Sequence, residues 1–213
     1  VQAYLGDWSK PETSQLPSIP LFEGIPFAYR EHIEIEEKSQ TDLVIGTYGL
    51  RRSNEDFLTA SLANHILGQF GMMGRIGQAV REESSLAYYA SSALNAWHQG
   101  GSWEIFAGVN PANVDKTITT IKAVITGFIS QPARKDEIAD AKSSLTGMIP
   151  LSLESNAGIA GAILNMERFH LGFNYLRDYP RLIRAISAQQ ILNVTRKYLD
   201  PEKLVIISAG TSK

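Results

Sequence analysis

The chain has 213 residues, of which 44% are hydrophobic and 20% are charged, the ordinary balance of a globular protein with a packed core. Its formal net charge of -2 provides no long-range positive field, which disfavours nucleic-acid and anionic-membrane partners. The sequence contains no cysteine, which excludes disulfides and thiolate metal sites, and no apolar run approaches the roughly 18 residues that span a bilayer. None of these properties indicates the compartment.

Proline is dense near the start of the chain. Four prolines fall within the first thirty residues: Pro11, Pro17, Pro20 and Pro26. Proline suppresses helix interiors and sheet ladders, so we predict an extended lead-in or linker over residues 1–30 and a single domain over residues 31–213. Because the chain starts at Val1 without the features of a signal peptide, we expect it to be a piece of a longer protein.

Strand patterns occur in four places. Residues 32–36 alternate between apolar and polar, as in a half-buried strand, and residues 43–48 form a more continuous apolar run that suits a central strand. Residues 86–97 and 102–109 indicate a hairpin that turns at Gly100 and Gly101. A final strand is predicted over residues 204–208.

Two helices are predicted before the hairpin. Ser53 and Asp56 resemble a capping box that opens the first helix, and Gly68 is expected to close it. A short second helix is predicted over residues 71–83. The glycine-rich stretch from Gly68 to Gly74 is either a mobile loop that lets a ligand backbone approach closely or a helix stop followed by a turn.

More helices are predicted after the hairpin. Asn110 precedes a proline at a helix start that Pro132 terminates, and residues 134–199 are helical almost throughout. Ser187 and Gln190 indicate another capping box. Five residues are expected to interrupt this helical region: Gly147, Pro150, Gly158, Gly172 and Pro180.

The order of these elements predicts the fold class. Strands come first, then helix, hairpin, several helices and one last strand, which leaves too few alternating units for a doubly wound parallel sheet. We therefore predict an α+β fold, a two-layer sandwich in which a mostly antiparallel sheet packs against several helices.

Metal and nucleophile motifs are missing from the sequence. Neither His-Glu-x-x-His nor its inverted form His-x-x-Glu-His is present, and there is no Gly-x-Ser-x-Gly elbow or phosphate-binding Gly-Lys-Ser/Thr. The four histidines are more than thirty residues apart: His32, His65, His98 and His170. We expect them to be surface or core residues, with no metal or cofactor held by this chain.

Arg81 and Tyr88 are the candidate functional pair. They lie at the junction between a predicted helix and the strand of residues 86–97. Arginine offers a permanent charge and a planar fork of donors, and a tyrosine hydroxyl donates to a carbonyl oxygen or oxyanion. On one cleft wall the two would hold a peptide and stabilise negative charge on its carbonyl. The alternative is a surface pair of Arg81 with Glu82 or Glu83, with Tyr88 as an ordinary strand residue.

Around this pair the sequence resembles a known family. The order of residues 64–68, 74–76, 80–83 and 86–88 is similar to the helix, glycine loop, helix and Arg-Glu-x-x-x-Leu-Ala-Tyr junction of M16 (pitrilysin-like, insulinase-like) metallopeptidases. The resemblance covers nearly the whole chain. Residues 4–8 look like the end of the linker before the family's second half, and residues 204–210 look like its closing strand.

The resemblance implies a function shared between two halves. Members of the family close two similar halves around a peptide; one carries His-x-x-Glu-His and zinc, and the other carries an arginine and, seven residues later, a tyrosine. Arg81 and Tyr88 have that spacing, so the chain resembles the zinc-free C-terminal half and would assist catalysis with these two residues. Its partner would be a zinc-bearing half in the same parent chain or in a separate subunit, and its ligand a peptide substrate. Alone, the chain is expected to hold no zinc and to cleave no peptide.

The sequence departs from the family pattern at two places, and two other functions are alternatives to the first. Tyr89 follows Tyr88, and a register slip of one residue in the strand would exchange their roles. The stretch from Gly68 to Gly74 is less glycine-dense than the substrate-capturing loop of the mitochondrial processing enzyme's non-catalytic subunit, so that specialised role is not expected. The second reading of the chain is a catalytically silent scaffold or interaction subunit; a free-standing binding module is the third.

Overall fold

One five-stranded sheet organises the chain. The computed structural model describes residues 2–7, 9, 27–69 and 74–211. Within these residues the strand order is β1-β5-β2-β4-β3, with bounds β1 Tyr29–Glu34, β2 Thr41–Tyr48, β3 Ala87–Ala96, β4 Gly101–Val109 and β5 Val205–Gly210. β1 and β5 are parallel, and the other three pairings are antiparallel. The mostly antiparallel sheet and the central position of β2 are as predicted, with β5 inserted between β1 and β2.

Helices form the second layer. Their bounds are α1 Gln2–Leu5, α2 Phe57–Asn64, α3 Arg75–Gly77, α4 Val114–Ser130, α5 Lys135–Ser152, α6 Asn156–Arg168, α7 Tyr175–Ala185 and α8 Ala188–Tyr198. π-helical segments continue α2 over His65–Gln69 and α3 over Gln78–Glu83. None of the described helices is long and apolar enough to cross a bilayer.

The core lies between the helices and one face of the sheet. Ile45 of β2 is fully buried and pairs with Ile105 of β4 on one side and Ile206 of β5 on the other. Because side chains alternate along a strand, these residues share the face that packs on buried helical residues such as Leu62 and Ile121. The predicted two-layer α+β fold is confirmed.

Two predicted helix starts and the hairpin are confirmed. The Asn110 side chain accepts a hydrogen bond from the backbone of Ala112 at the start of the helical region that leads into α4. Both hydrogen bonds of the capping box formed by Ser187 and Gln190 open α8. β3 and β4 pair as the predicted antiparallel hairpin.

The capping box predicted at the start of α2 was wrong. Asp56 precedes α2, but its side chain makes no capping hydrogen bond. Its carboxylate instead accepts hydrogen bonds from Lys197 Nζ at 2.7 Å and from the Tyr198 hydroxyl at 3.1 Å. Through these two bonds, one of them charge-assisted, Asp56 ties α2 to α8.

Gly68 does not end the helix that contains it. The chain continues in a π-helical segment to Gln69, and Gly68 lies against β3, where a β-carbon on it would be 2.9 Å from the Ser92 nitrogen. Close helix–strand packing therefore accounts for this glycine. Residues 70–73 of the predicted glycine-rich stretch and of the predicted helix over residues 71–83 lie outside the described residues.

Four of the five interruptions predicted after residue 134 lie inside helices. Gly147 and Pro150 are in α5, Gly158 is in α6 and Pro180 is in α7. Gly172 alone of the five separates two helices, and its φ of 81° suits glycine. Pro150 has no N–H to donate to the carbonyl four residues earlier, and α5 ends two residues after it, at Ser152.

The predicted lead-in over residues 1–30 is described only in part. Val1, Trp8 and residues 10–26 lie outside the described residues. The one-turn helix α1 begins the described chain, and β1 begins at Tyr29. The division into a lead-in and a domain over residues 31–213 stays a prediction.

Candidate functional site

A tight turn brings Arg81 and Tyr88 to the same surface. The helical segment Gln78–Glu83 is followed by Ser84 and then by Ser85, whose φ of 50° is in the left-handed region. The Ser85 amide donates to the Arg81 carbonyl at 3.1 Å, and the Leu86 amide donates to the Val80 carbonyl at 2.9 Å. These bonds close the helix end and direct the chain into β3 immediately before Tyr88.

Tyr88 is the extra residue of a β-bulge. Ala87 pairs with Val109 and Tyr89 pairs with Gly108, so the register of β3 against β4 shifts across Tyr88. A bulge leaves its extra residue out of the ladder and redirects its side chain. The Tyr88 side chain is accordingly exposed, at 66% relative accessibility.

Arg81 and Tyr88 line one open cavity of about 400 Å³. The described residues that line it are Arg81, Ser85, Leu86, Ala87, Tyr88, Asn110 and Asn113, and none of these carries a carboxylate. Among the described residues, no side chain forms an ion pair with Arg81 or a hydrogen bond with Tyr88. The alternative pairing of Arg81 with Glu82 or Glu83 is not found within this part of the chain. Two donors without partners thus share one open surface.

Tyr89 is held on the open face of the sheet. Its hydroxyl donates to Asp42 Oδ1 at 3.1 Å, and its ring lies over Gly108, where a β-carbon would be 2.3 Å from Tyr89 Cε1. Partial burial, followed by the hydrogen bond to Asp42, raises the pKa of Tyr89. Hydrogen bonds from Lys38 first and Gln40 second lower the pKa of Asp42. Of the two neighbouring tyrosines, Tyr88 is therefore the one whose hydroxyl is free within the described chain.

An ion pair anchors the helical segment that carries Arg81. Arg75 Nε and Nη2 each donate to a carboxylate oxygen of Glu137 in α5 at 2.8 Å, and the Arg75 guanidinium lies 4.7 Å from the centre of the Phe128 ring. Burial is the largest single influence on the pKa of Glu137 and acts to raise it, but the hydrogen bonds from Arg75 and from the Arg134 amide, together with the charges of both arginines, outweigh burial and the pKa is lowered. This largely buried bidentate pair fixes α3 and the turn that follows it.

Asn110 and Asn113 belong to the cavity and were missed as site residues. The sequence pattern identified Asn110 only as a helix cap. The hairpin register could have found both, because β3 and β4 are antiparallel and Ala87 pairs with Val109, so the residues that follow Val109 must lie beside those that precede Ala87.

The described residues do not fit a metal site. No group of three or more histidine, aspartate or glutamate side chains among them could hold a metal ion. The histidines lie in separate places: His32 in β1, His65 after α2, His98 in the β3–β4 turn and His170 after α6. His32 Nδ1 is 2.9 Å from Ser208 Oγ, an ordinary structural contact. No chemical step is assigned here to a metal on this chain.

Comparison with known proteins identifies the family. Residues 1–145 match the family described as "Peptidase M16 inactive domain". Over 126 residues the chain is 29% identical to the "uncharacterized zinc protease SCO5738" of Streptomyces coelicolor, covering 59% of this chain and 26% of that protein. The chain thus spans about a quarter of that relative's length.

Two solved structures share the fold. A peptidase M16 inactive domain from Pseudomonas fluorescens superposes with a TM-score of 0.84 at 29% identity, over 93% of this chain and 47% of that one. A protease from Helicobacter pylori superposes with a TM-score of 0.85 over 98% of this chain and 50% of that one, and at 14% identity the likeness concerns the fold alone. The family match covers more than half of the sequence, and the chain belongs to the peptidase M16 family, in which it corresponds to the inactive domain.

Proposed function

We propose that this chain is the zinc-free half of an M16-type peptidase and contributes Arg81 and Tyr88 to an active site completed by a zinc-bearing half. The observation that carries the proposal is the shared cavity, where a guanidinium and a phenol have no partner among the described residues. The name "zinc protease" of the Streptomyces coelicolor relative supports a partner half that holds the metal. That half would lie in the same parent chain or in a separate subunit.

The proposed role of Tyr88 is to stabilise negative charge. In peptide hydrolysis the carbonyl oxygen of the scissile bond gains charge as the tetrahedral intermediate forms, and a hydroxyl aimed at that oxygen strengthens its hydrogen bond as the charge grows. The bulge holds the Tyr88 side chain outside the β-ladder, so the hydroxyl is available to a peptide without breaking a bond of the sheet. When bound in the partner half, zinc would supply the activated water and polarise the carbonyl.

The proposed role of Arg81 is to orient the peptide. A guanidinium presents several donors in one plane and stays charged at every physiological pH, which suits it to bind peptide carbonyl oxygens next to the scissile bond. None of the described residues that line the cavity is a carboxylate that could neutralise that charge. Asn110 and Asn113 add amide groups to the same wall and can extend the hydrogen bonding to the peptide backbone.

The test is Tyr88→Phe in a protein that contains both halves. Removing one oxyanion donor is expected to lower kcat by about a hundredfold, while zinc content per molecule stays the same. Tyr89→Phe is the matched control, because it removes the adjacent hydroxyl, which is bonded to Asp42; we expect its kcat to change less than about threefold.

Three other results would contradict the proposal. A fall in kcat for Tyr89→Phe but not Tyr88→Phe would transfer the role to the neighbouring residue. Unchanged turnover in both variants would support the alternative, a catalytically silent scaffold or interaction subunit. A loss of zinc in Tyr88→Phe would show that the residue acts on the metal site instead of on the substrate.

A further inference from the structure

A second and larger cavity lies between the end of the β3–β4 hairpin and α6. Its volume is about 630 Å³, within the range of small-molecule sites. Gly161 and Ala162 face it from α6 and leave space, and Trp97 faces it from the end of β3. No atom lies within 4 Å of the position that a β-carbon on Gly161 would take. Leu94, Met166 and Leu171 make much of the remaining wall apolar.

Arg52 is built into this cavity by several contacts. Its backbone amide donates to the Trp97 carbonyl at 2.9 Å, which fixes the loop between β2 and α2. Its guanidinium lies 3.9 Å from the centre of the Phe57 ring, 5.4 Å from that of Tyr175 and 5.6 Å from that of Phe169. Packing against aromatic rings holds a guanidinium in place without neutralising its charge.

The charge of Arg52 is not compensated in the described structure. Of the described residues that line the cavity, Arg52 is the only charged one, and no carboxylate in this part of the chain pairs with it. A cation in a partly apolar cavity without an anion favours an anionic ligand.

Tyr175 provides a second donor. Arg52 Nη2 donates to the Tyr175 hydroxyl oxygen at 2.8 Å. The oxygen therefore acts as acceptor on that side, and its own proton points elsewhere. No described residue accepts a hydrogen bond from that hydroxyl, so the guanidinium and the phenol both offer donors at the same end of the cavity.

We propose that this cavity binds an apolar group that carries a carboxylate. The carboxylate would accept hydrogen bonds from Arg52 and Tyr175, an arrangement that gives short, charge-assisted bonds, and the apolar part would fill the space beside Gly161 and Trp97. This chemistry occurs at the C-terminal residue of a peptide and in a free fatty acid. The site is distinct from the cavity of Arg81 and Tyr88, and the inference does not depend on the function proposed there.

The indole N–H of Trp97 reports binding directly, because Trp97 lines the cavity. Its ¹⁵N–¹H NMR signal would be followed while the 213-residue chain is titrated with three probes. The probes are a short acetylated peptide ending in leucine with a free carboxylate, the same peptide as C-terminal amide, and octanoate. We expect a saturable shift with the acid peptide or octanoate, and at least tenfold weaker binding of the amide. The tighter of the two acids identifies the natural source.

Matched variants distinguish binding in the cavity from binding elsewhere on the surface. Arg52→Met and Tyr175→Phe should each weaken the binding of the acid probe severalfold or more. Arg51→Met, which removes an exposed neighbouring charge, should leave this binding unchanged. Gly161→Leu should abolish the shift by filling the cavity. Gly147→Leu, at a helical glycine in α5 with equally open space, should not.

Three outcomes would overturn the proposal. The first is the absence of a saturable Trp97 shift with either acid up to about 10 mM, the range of weak small-ligand binding. The second is saturable binding of the acid and amide peptides with equal affinity. The third is equal binding of the acid probe by Gly161→Leu and the unaltered chain. Because the Gly161→Leu result does not depend on Arg52, the test stays decisive if Arg52→Met fails to fold.

Discussion

Two surfaces of this molecule each set an arginine beside a tyrosine, with no carboxylate among the described residues that line them, yet they are built in opposite ways. Arg52 donates to Tyr175 and packs against three aromatic rings. Arg81 and Tyr88 are exposed and have no such partners within the described chain. Donors locked in advance favour a ligand that fits them, because little entropy is lost on binding. Exposed hydrogen-bond donors that are not held by protein contacts are suited to bind a group that another part of an assembly brings close to them.

The difference follows from where the residues lie in the sequence. Arg81 and Tyr88 are neighbours along the chain, joined by one turn that leaves their side chains free. Arg52 and Tyr175 are 123 residues apart and meet only because helix α7 packs back onto the loop after β2. The first pair depends on local geometry, and the second depends on the whole fold.

The largest expected effect on stability comes from the ion pair of Arg75 and Glu137, which anchors the segment that carries Arg81. Glu137→Gln removes the charge that Arg75 binds and leaves that guanidinium without its anion. We expect the free energy of unfolding at pH 7 to fall by about 2 kcal/mol, measured by urea denaturation. Glu154→Gln, at an exposed glutamate without an ion pair among the described residues, is the control and should change it by less than about 0.5 kcal/mol.

The loss of stability in Glu137→Gln is predicted to depend on pH. The pKa of Glu137 is lowered in the folded chain, so its contribution is complete above the unfolded-state pKa and is lost as pH falls through the lower folded-state value. The stability difference between the unaltered chain and Glu137→Gln should therefore shrink below about pH 4.5. A difference that stays constant down to pH 3 would exclude an ionised Glu137 as its source.

A direct test of the comparison exchanges each arginine for methionine. Arg52→Met loses the ring contacts and the hydrogen bond to Tyr175, and we expect it to lower the free energy of unfolding by about 1–2 kcal/mol. Arg81→Met should change it by less than about 0.5 kcal/mol, as at an ordinary exposed site. Equal losses for the two variants, measured by the same denaturant titration, would show that the two surfaces are not built differently.

The smallest expected effect concerns the wall of the second cavity. Gly161→Ala should stabilise the chain by about 0.5–1 kcal/mol, the helix-interior preference for alanine, because a β-carbon there meets no atom within 4 Å. Gly158→Ala should destabilise it, since its β-carbon would lie 1.9 Å from the Ser152 carbonyl oxygen. Thermal denaturation of the two variants should shift the midpoint in opposite directions.

Local patterns predicted much of this molecule. The glycine turn of the hairpin and the cap at Ser187 depend on residues close together in sequence, and both are present in the structure. The half-buried strand predicted over residues 32–36 was wrong in its burial, because β1 covers Tyr29–Glu34 and every residue of it is exposed. The resemblance to the M16 junction, and not a local pattern, identified Arg81 and Tyr88, which line one cavity. Their catalytic role stays a prediction.

Long-range contacts explain what the patterns missed. Asp56 does not cap α2, because Lys197 and Tyr198 reach it from α8. Gly68 does not stop its helix, because Ser92 of β3 lies against it. The cavity of Arg52 and Tyr175 requires the docking of α6 and α7, which no local pattern records. In each case the deciding neighbour is distant in sequence.

The bulge at Tyr88 has a consequence for how this surface can change over time. Ordinary strand residues are constrained by the neighbours they pair with, whereas residue 88 is paired with no residue of β4. Substitutions of Tyr88 should therefore change the stability of the sheet little and act mainly on the chemistry of the cavity. At such a position an activity can be gained, lost or altered during evolution while the surrounding fold is preserved.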